Sequence, residues 1–296
     1  MNRRGRFLAW LLLFCGLACA QSTVGDLLEQ KLAEKIRKLD DSLDGVLGVA
    51  AIDLATGRTI SYNGGVSFPQ ASSIKIPILI QVFRAARAGE IRWEDSVTLT
   101  DKDLAGGSGR LQERVKKGPV SLTIRELARA MIEDSDNLAT NKLIDMTGME
   151  RVNQMLEELG LWGTRLQRRM MDSAAAARDE ENISTPIEMA RLVEMIYRGR
   201  AVDEAACSEM LALMKLVKAD FRKAVPAQIE VASKPGDVPG VHCESGVVFL
   251  PKRPFVLSVM STLVGEGANP VPEVVSLVYA HFARLDASNR YGNRLQ

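Results

Sequence analysis

The chain has 296 residues, 46% hydrophobic and 25% charged, with 38 Lys and Arg against 37 Asp and Glu and a formal net charge of +1. Enough apolar content to offset chain entropy excludes an intrinsically disordered chain, and near-neutrality excludes nucleic-acid binding driven by bulk charge. Four Cys exclude a disulfide-built scaffold, and a single long apolar run excludes a polytopic membrane protein.

That run is N-terminal. Arg3, Arg4 and Arg6 form a basic region, Phe7 to Leu17 an apolar stretch short for a membrane span, and Ala18-Cys19-Ala20 a small-x-small cleavage site before Gln21. This predicts a signal peptide over residues 1–20, a periplasmic or secreted protein, and no stable membrane span after processing. A lipoprotein anchored through Cys19 is an alternative, although Gly16 stands where a lipobox usually has Leu; a retained anchor is a third option. Removing twenty of the 296 residues leaves 276, and removing three Arg leaves 35 bases against 37 acids, a net charge of −2. Cys207 and Cys243 remain in an oxidising compartment, either as two buried thiols or as one disulfide.

Val24, Leu28, Leu32, Ile36 and Leu39 recur at helical spacing. Gly45–Leu54 is a β-rich run, a turn follows over Ala55–Arg58, and Thr59–Tyr62 completes a hairpin. Ser72 to Arg87 is an apolar helix that tolerates Pro77 in its first turns, where helix N–H groups lack partners. Ala105–Gly109 is a flexible loop. Ile124, Leu127, Ala128, Met131 and Ile132 line one helix face, with Ser121 or Thr123 as cap. Helices follow over Leu138–Met146 and Met149–Leu159, then a long polar loop over Leu166–Ile183 of the kind that is usually functional. Pro186–Arg198 and Glu204–Leu216 are helices, and Ile229–Ser233, Val241–Leu250 and Phe255–Ser261 are strands. Val274, Val275, Val278, Phe282 and Leu285 mark a closing helix. Strands at both ends with helices between them predict an α+β (mixed α/β) fold, its sheet assembled from distant segments around an all-helical insertion.

Three short elements carry chemistry. Ser72-Ser73-Ile74-Lys75 places Lys75 on the same helical face as the Ser72 hydroxyl. A desolvated lysine near other cations can act as the base that a serine nucleophile needs, and a helix N-terminus favours a developing oxyanion. Alone the element says little, since about one S-x-x-K arises by chance in a chain this long. Its plain alternative is a capping Ser followed by a solvated Lys. Ser135-Asp136-Asn137 arises in roughly one such chain in twenty, and its plain alternative is an N-cap for the next helix. Capping and catalysis are compatible here. Lys234-Pro235-Gly236 ends the first late strand, where the plain alternative is a solvent-facing Lys.

In this order and spacing the three elements resemble the class A β-lactamases and their penicillin-binding relatives. The resemblance runs from about Gly48 to the C-terminal helix and includes Ile183-Ser184-Thr185-Pro186, similar to the helix start that follows the family's Ω-loop. It implies an antiparallel sheet domain from residues 21–66 and 217–296, an all-α domain over 67–216, and a cleft where the two meet. It implies Ser72 as the acylated nucleophile, Lys75 as its base, and Ser135 as proton carrier to the leaving group. Asn137 would hold the substrate's amide side chain and Lys234 would attract its carboxylate. The oxyanion hole would be the N–H groups of Ser72 and Asp237, with Gly236 between Lys234 and Asp237. No metal or other cofactor is implied; His242 and His281 have no ligand spacing.

Two departures stand out. The family's Ω-loop carries a Glu two residues after an Arg, to activate the deacylating water; that position falls on Met170, after Arg168. Asp172 is the nearest acid, Glu180 or Glu181 lies further along, and the loop's Arg–acid clamp maps to Arg168 with Asn182. Pro235 stands where the family has Thr or Ser, and as a residue without N–H it fits only a strand edge or end. The expected activity is opening of a β-lactam amide by a monomeric, secreted serine hydrolase. The alternatives are a D-Ala-D-Ala peptidase or esterase with slow deacylation, and a non-hydrolysing β-lactam or peptidoglycan-binding protein. The substrate is a small β-lactam or peptidoglycan-like molecule, with no nucleic-acid partner.

Overall fold

A computed structural model describes residues 23–289 and 291–294; the expected signal peptide, with Cys15 and Cys19, lies outside the described residues. The chain runs through α1 (Val24–Ser42), β1 (Val46–Asp53), β2 (Thr59–Tyr62), β3 (Phe68–Pro69), a 3₁₀ turn (Ala71–Ile74), α2 (Lys75–Arg87) and β4 (Ser96–Leu99). Then come a second 3₁₀ turn (Asp101–Asp103), α3 (Leu111–Val115), β5 (Val120–Thr123), α4 (Ile124–Glu133), α5 (Asn137–Thr147), α6 (Met149–Glu158), α7 (Ser173–Ala176) and β6 (Ile183–Ser184). The last third contains α8 (Pro186–Tyr197), α9 (Glu204–Lys215), α10 (Asp220–Ala224), β7 (Val231–Val238), β8 (Val241–Val248), β9 (Phe255–Thr262) and α11 (Val271–Asp286).

The main sheet has the order β2-β1-β9-β8-β7, and every neighbouring pair is antiparallel. The two chain ends meet where β1 pairs with β9, from Val46 opposite Thr262 to Asp53 opposite Phe255. Side chains alternate across a strand, and the two faces feed two cores. Ala50, Ile52, Val256 and Met260 join the core that contains α2, α4 and α8. Leu47, Val49, Ala51, Phe255, Leu257 and Val259 pack instead with Phe221, Val274, Val278 and Phe282. Burial on both faces explains why β1 reads as an unbroken apolar run rather than an alternating one.

The expected mixed fold, with helices flanking a sheet from both chain ends, is the one observed. The predicted face of α4 is buried at all five positions, and Thr123 rather than Ser121 caps it, in a capping box with Glu126. Several boundaries differ. Ser72 lies in the 3₁₀ turn that precedes α2, so the S-x-x-K pair bridges a turn and a helix. Lys234-Pro235-Gly236 does not end its strand: β7 continues to Val238, because it is the sheet's edge strand and needs no N–H from Pro235 on its open side. The long loop contains α7, and α3, α10 and the short ladders β3–β6 and β4–β5 lie where no element was expected. Cys207 and Cys243 are free, buried thiols. Among the described residues no helix is long and apolar enough to cross a membrane.

Candidate active site

The first residues of α2 run through the core: Lys75 to Val82 are all buried. Lys75 has therefore lost its solvent, and its Nζ instead meets four protein oxygens. Ser72 Oγ lies at 3.0 Å, the Ser135 carbonyl at 2.7 Å, Ser135 Oγ at 3.0 Å and Asn137 Oδ1 at 2.8 Å. An ammonium has three hydrogens to donate and a neutral amine two with one lone pair, so in either form three of these four contacts can be served at once. Burial, followed by the nearby Lys234 charge, holds the Lys75 pKa well below that of a free lysine, against a smaller opposing pull from Asp136. A lysine held in this way can take a proton from Ser72.

The Ser135-Asp136-Asn137 turn presents two groups to this lysine while anchoring itself with the third. Asp136 caps α5 through the Ala139 N–H at 2.9 Å and accepts the Leu111 N–H at 2.9 Å. The capping expectation holds, and the same turn carries Ser135 and Asn137 to Lys75. Ser135 has a left-handed backbone, φ 53°, as do Ala71 (41°), just before Ser72, and Met171 (65°). Non-glycine residues rarely adopt this conformation, and it concentrates at functional sites.

Lys234 reaches the same serine hydroxyl. Its Nζ donates to Ser135 Oγ at 3.0 Å and to its own neighbour's carbonyl, Pro235 O, at 3.1 Å. Full burial lowers its pKa to about 8, with Glu244 and Asp237 partly offsetting the loss. Among the described residues neither Lys75 nor Lys234 has a carboxylate within ion-pair distance. Strand β7 and the Ser72 turn are tied by the Ser73 hydroxyl, which donates to the Lys234 carbonyl at 3.2 Å. Gly236 makes the closest approach: a Cβ there would fall 2.4 Å from Gln70 O, 2.6 Å from Ser73 N and 2.7 Å from Ser72 N. Only glycine fits, and this brings the backbone of Gly236 alongside the Ser72 amide.

Sequence reasoning missed three contributors. The Ser108 hydroxyl donates to the Ser135 carbonyl at 2.8 Å, and its own carbonyl accepts the Asn137 N–H at 3.0 Å. The signal for it was the glycine-rich loop around it. Asn141, one turn beyond Asn137 on α5, clamps Met170 from both sides: Met170 N–H donates to Asn141 Oδ1 at 2.8 Å, and Asn141 Nδ2 to Met170 O at 3.1 Å. Met171 is the third. A Cβ on Gly107 would lie 2.7 Å from the Met171 Sδ and 2.6 Å from Asn137 Nδ2, so this half-exposed thioether sits at the Asn137 end of the site.

Met170 itself is buried in the core. Three acids that follow it in the loop are engaged elsewhere. Asp172 caps α7 through the Ala175 N–H, Glu180 pairs with Arg178, and Glu181 pairs with Arg168. The loop clamp is therefore Arg168 with Glu181. Asn182 braces the same strand segment through the Gln167 and Arg168 N–H groups, at 2.8 and 3.0 Å. Among the described residues no group of three or more His, Cys, Asp or Glu side chains is placed to hold a metal.

A family profile described as "Beta-lactamase enzyme family" matches residues 31–282. The β-lactamase ROB-1 of Haemophilus influenzae is 29% identical over 258 residues, 84% of this chain and 81% of that protein. The crystal structure of a β-lactamase from Sphaerobacter thermophilus superposes with a TM-score of 0.79 at 28% identity, covering 87% of this chain and 97% of that one. A mutant of PBP-A, solved as its acyl-enzyme complex with penicillin G, superposes at 0.77 with 25% identity, over 87% and 96% of the two chains.

Proposed function

The chain belongs to the β-lactamase enzyme family, and from that premise we propose that it is a serine hydrolase that opens a β-lactam amide through an acyl-enzyme on Ser72. The observation that carries this is the shared hydrogen bonding of Ser72, Ser135 and Asn137 to one buried lysine, with Lys234 also bonded to the Ser135 hydroxyl. On this reading Lys75 takes the Ser72 proton as Oγ bonds to the lactam carbonyl carbon. Ser72 and Asp237 N–H groups stabilise the oxyanion. Ser135 delivers a proton to the nitrogen as the C–N bond breaks, and is reprotonated from the lysine side. Asn137 holds the acyl side chain. Residues 21–66 with 217–296 form one wall of the cleft and 67–216 the other, and residues 1–20 direct export, so the reaction takes place outside the cytoplasm.

Release of the acyl group is a separate matter. Met170 cannot accept a proton, and Asp172, Glu180 and Glu181 are committed to other partners. These observations favour a second reading of the same site: a penicillin-binding D-Ala-D-Ala peptidase or esterase whose penicilloyl adduct persists. Incubation with benzylpenicillin followed by intact-mass detection tests the common step. One adduct per chain, absent in Ser72→Ala, is expected where release is slow; a parent protein that neither carries an adduct nor opens the lactam sinks both readings. A chromogenic cephalosporin then separates them. Many product molecules per chain indicate the lactamase, and a burst equal to the protein concentration indicates the peptidase.

A further inference from the structure

Among the described residues Met171 is the one exposed methionine, at 54%. Met146, Met149 and Met195 are half-buried, and the others lie in the core. Met171 also borders the site. A Cβ on Gly107 would meet its Sδ at 2.7 Å and Asn137 Nδ2 at 2.6 Å, so sulfur and amide nitrogen face the same small gap over that glycine. The surrounding groups are fixed. Asn137 Oδ1 accepts from Lys75 Nζ at 2.8 Å, Asn137 Nδ2 donates to Gly106 O at 3.2 Å, and Gln112 Nε2 donates to Gly107 O at 3.1 Å. An amide nitrogen carries two hydrogens, and the second on Asn137 has no protein acceptor among the described residues. A thioether accepts only weakly, so this hydrogen stays available to a bound molecule.

Resting on the reading in which Ser72 is acylated and Asn137 holds the acyl side chain, we propose that Met171 is a modification site. A peroxide converts its thioether to the sulfoxide, whose oxygen takes the free Asn137 Nδ2 hydrogen and slows acylation by substrates that need it. The step is an oxygen transfer. A sulfur lone pair attacks one peroxide oxygen, and the S–O bond forms as the O–O bond breaks. The other oxygen takes up the proton of the transferred one and leaves as water. Sulfur is oxidised by two electrons, the peroxide is reduced by two, and a dithiol-driven methionine sulfoxide reductase reverses the change. Replacing an apolar thioether by a polar sulfoxide supplies the acceptor that the gap lacks.

Limiting hydrogen peroxide on the full mature chain, followed by peptide mass mapping, tests the first half. Met171 should gain oxygen ahead of Met146, Met149 and Met195. Acylation by benzylpenicillin, read from quenched intact-mass time courses, should then fall about threefold to tenfold, the worth of one hydrogen bond, and the reductase should restore it. The aminopenicillanic acid nucleus has no acyl side chain for Asn137 to hold, so its rate should change by less than about twofold. Met171→Leu, compared with its own untreated form, should keep its benzylpenicillin rate through the treatment. Oxidation that begins at another methionine overturns the proposal. So does an oxidised Met171 that leaves the benzylpenicillin rate unchanged, an equal loss with both substrates, or an equal loss in treated Met171→Leu. A parent protein that neither carries an adduct nor opens the lactam fails the Ser72 reading and takes the rate effect with it, while the peptide map decides the site of modification separately.

Discussion

Replacing Gly236 with alanine tests whether β7 and the nucleophile turn build one oxyanion site. The new Cβ would stand 2.4 Å from Gln70 O, 2.6 Å from Ser73 N and 2.7 Å from Ser72 N, and all three are backbone atoms that cannot rotate away. Ordinary contact begins at 3.4 Å, so the strand must retreat by about 1 Å at this point. The Asp237 N–H moves with it, while Lys75, anchored on α2 and α5, stays in place. Misplacement by about 1 Å costs roughly a hundredfold in rate, and loss of one oxyanion donor costs about 10²–10³. Acylation by benzylpenicillin should therefore fall about a hundredfold, read from intact-mass time courses, with a circular-dichroism melt to confirm folding. A folded Gly236→Ala protein that acylates within about threefold of its parent would refute this account of the site.

Met170→Glu places a proton acceptor on a backbone already clamped by Asn141, and should speed loss of the penicilloyl adduct at least about tenfold. An adduct as long-lived as the parent's would show that another group limits release. Lys234 loses its proton as pH rises through about 8, so acylation should decline on that alkaline limb, and Lys234→Arg should abolish the limb. Because its folded pKa lies below that of the unfolded chain, the unfolded state binds the extra proton between about 8 and 10.5, and this lysine's penalty on stability shrinks as pH rises across that window. Glu244 behaves in the opposite sense. Buried beneath β7, with the Ser233 hydroxyl at 2.6 Å and the Phe221 N–H at 3.1 Å, its carboxyl is pushed up from 4.5 to about 7, chiefly by burial. The folded state holds the extra proton between those values, so stability falls as pH rises from 4.5 to 7, by up to about 3 kcal/mol. Urea midpoints at pH 5 and 8 should differ less in Glu244→Gln, and an unaltered difference would assign the pH dependence elsewhere.

The sequence made the long elements legible because their apolar periods are strong: α4 shows one buried face, and β1 a run covered on both sides. Ser72, Lys75, Ser135, Asn137 and Lys234 were legible as spaced motifs, and the structure brings them around one hydroxyl, Ser135 Oγ, and one amine, Lys75 Nζ. Ladders of two or four residues, such as β3–β6 and β4–β5, carry too few side chains to show a period. Asn141, Ser108 and Met171 were hidden for another reason. They act on backbone atoms or across space from segments remote in sequence, and spacing along the chain carries no trace of that. The Arg168 partner moved by one residue, from Asn182 to Glu181, within a loop where no periodicity fixes which side chain turns inward.

The pairing of β1 with β9 sets a timetable. While the chain is being made, β1 finds only β2 beside it until the last strand emerges. The Ser73–Lys234 bond that fastens the nucleophile turn spans 161 residues, so its loop must close before any reward is gained. Such non-local closure makes folding slow. The Ser72 turn is thus fastened late, after most of the polypeptide has been released, and a chain shortened before residue 231 lacks β7 and with it the Lys234 carbonyl that accepts from Ser73.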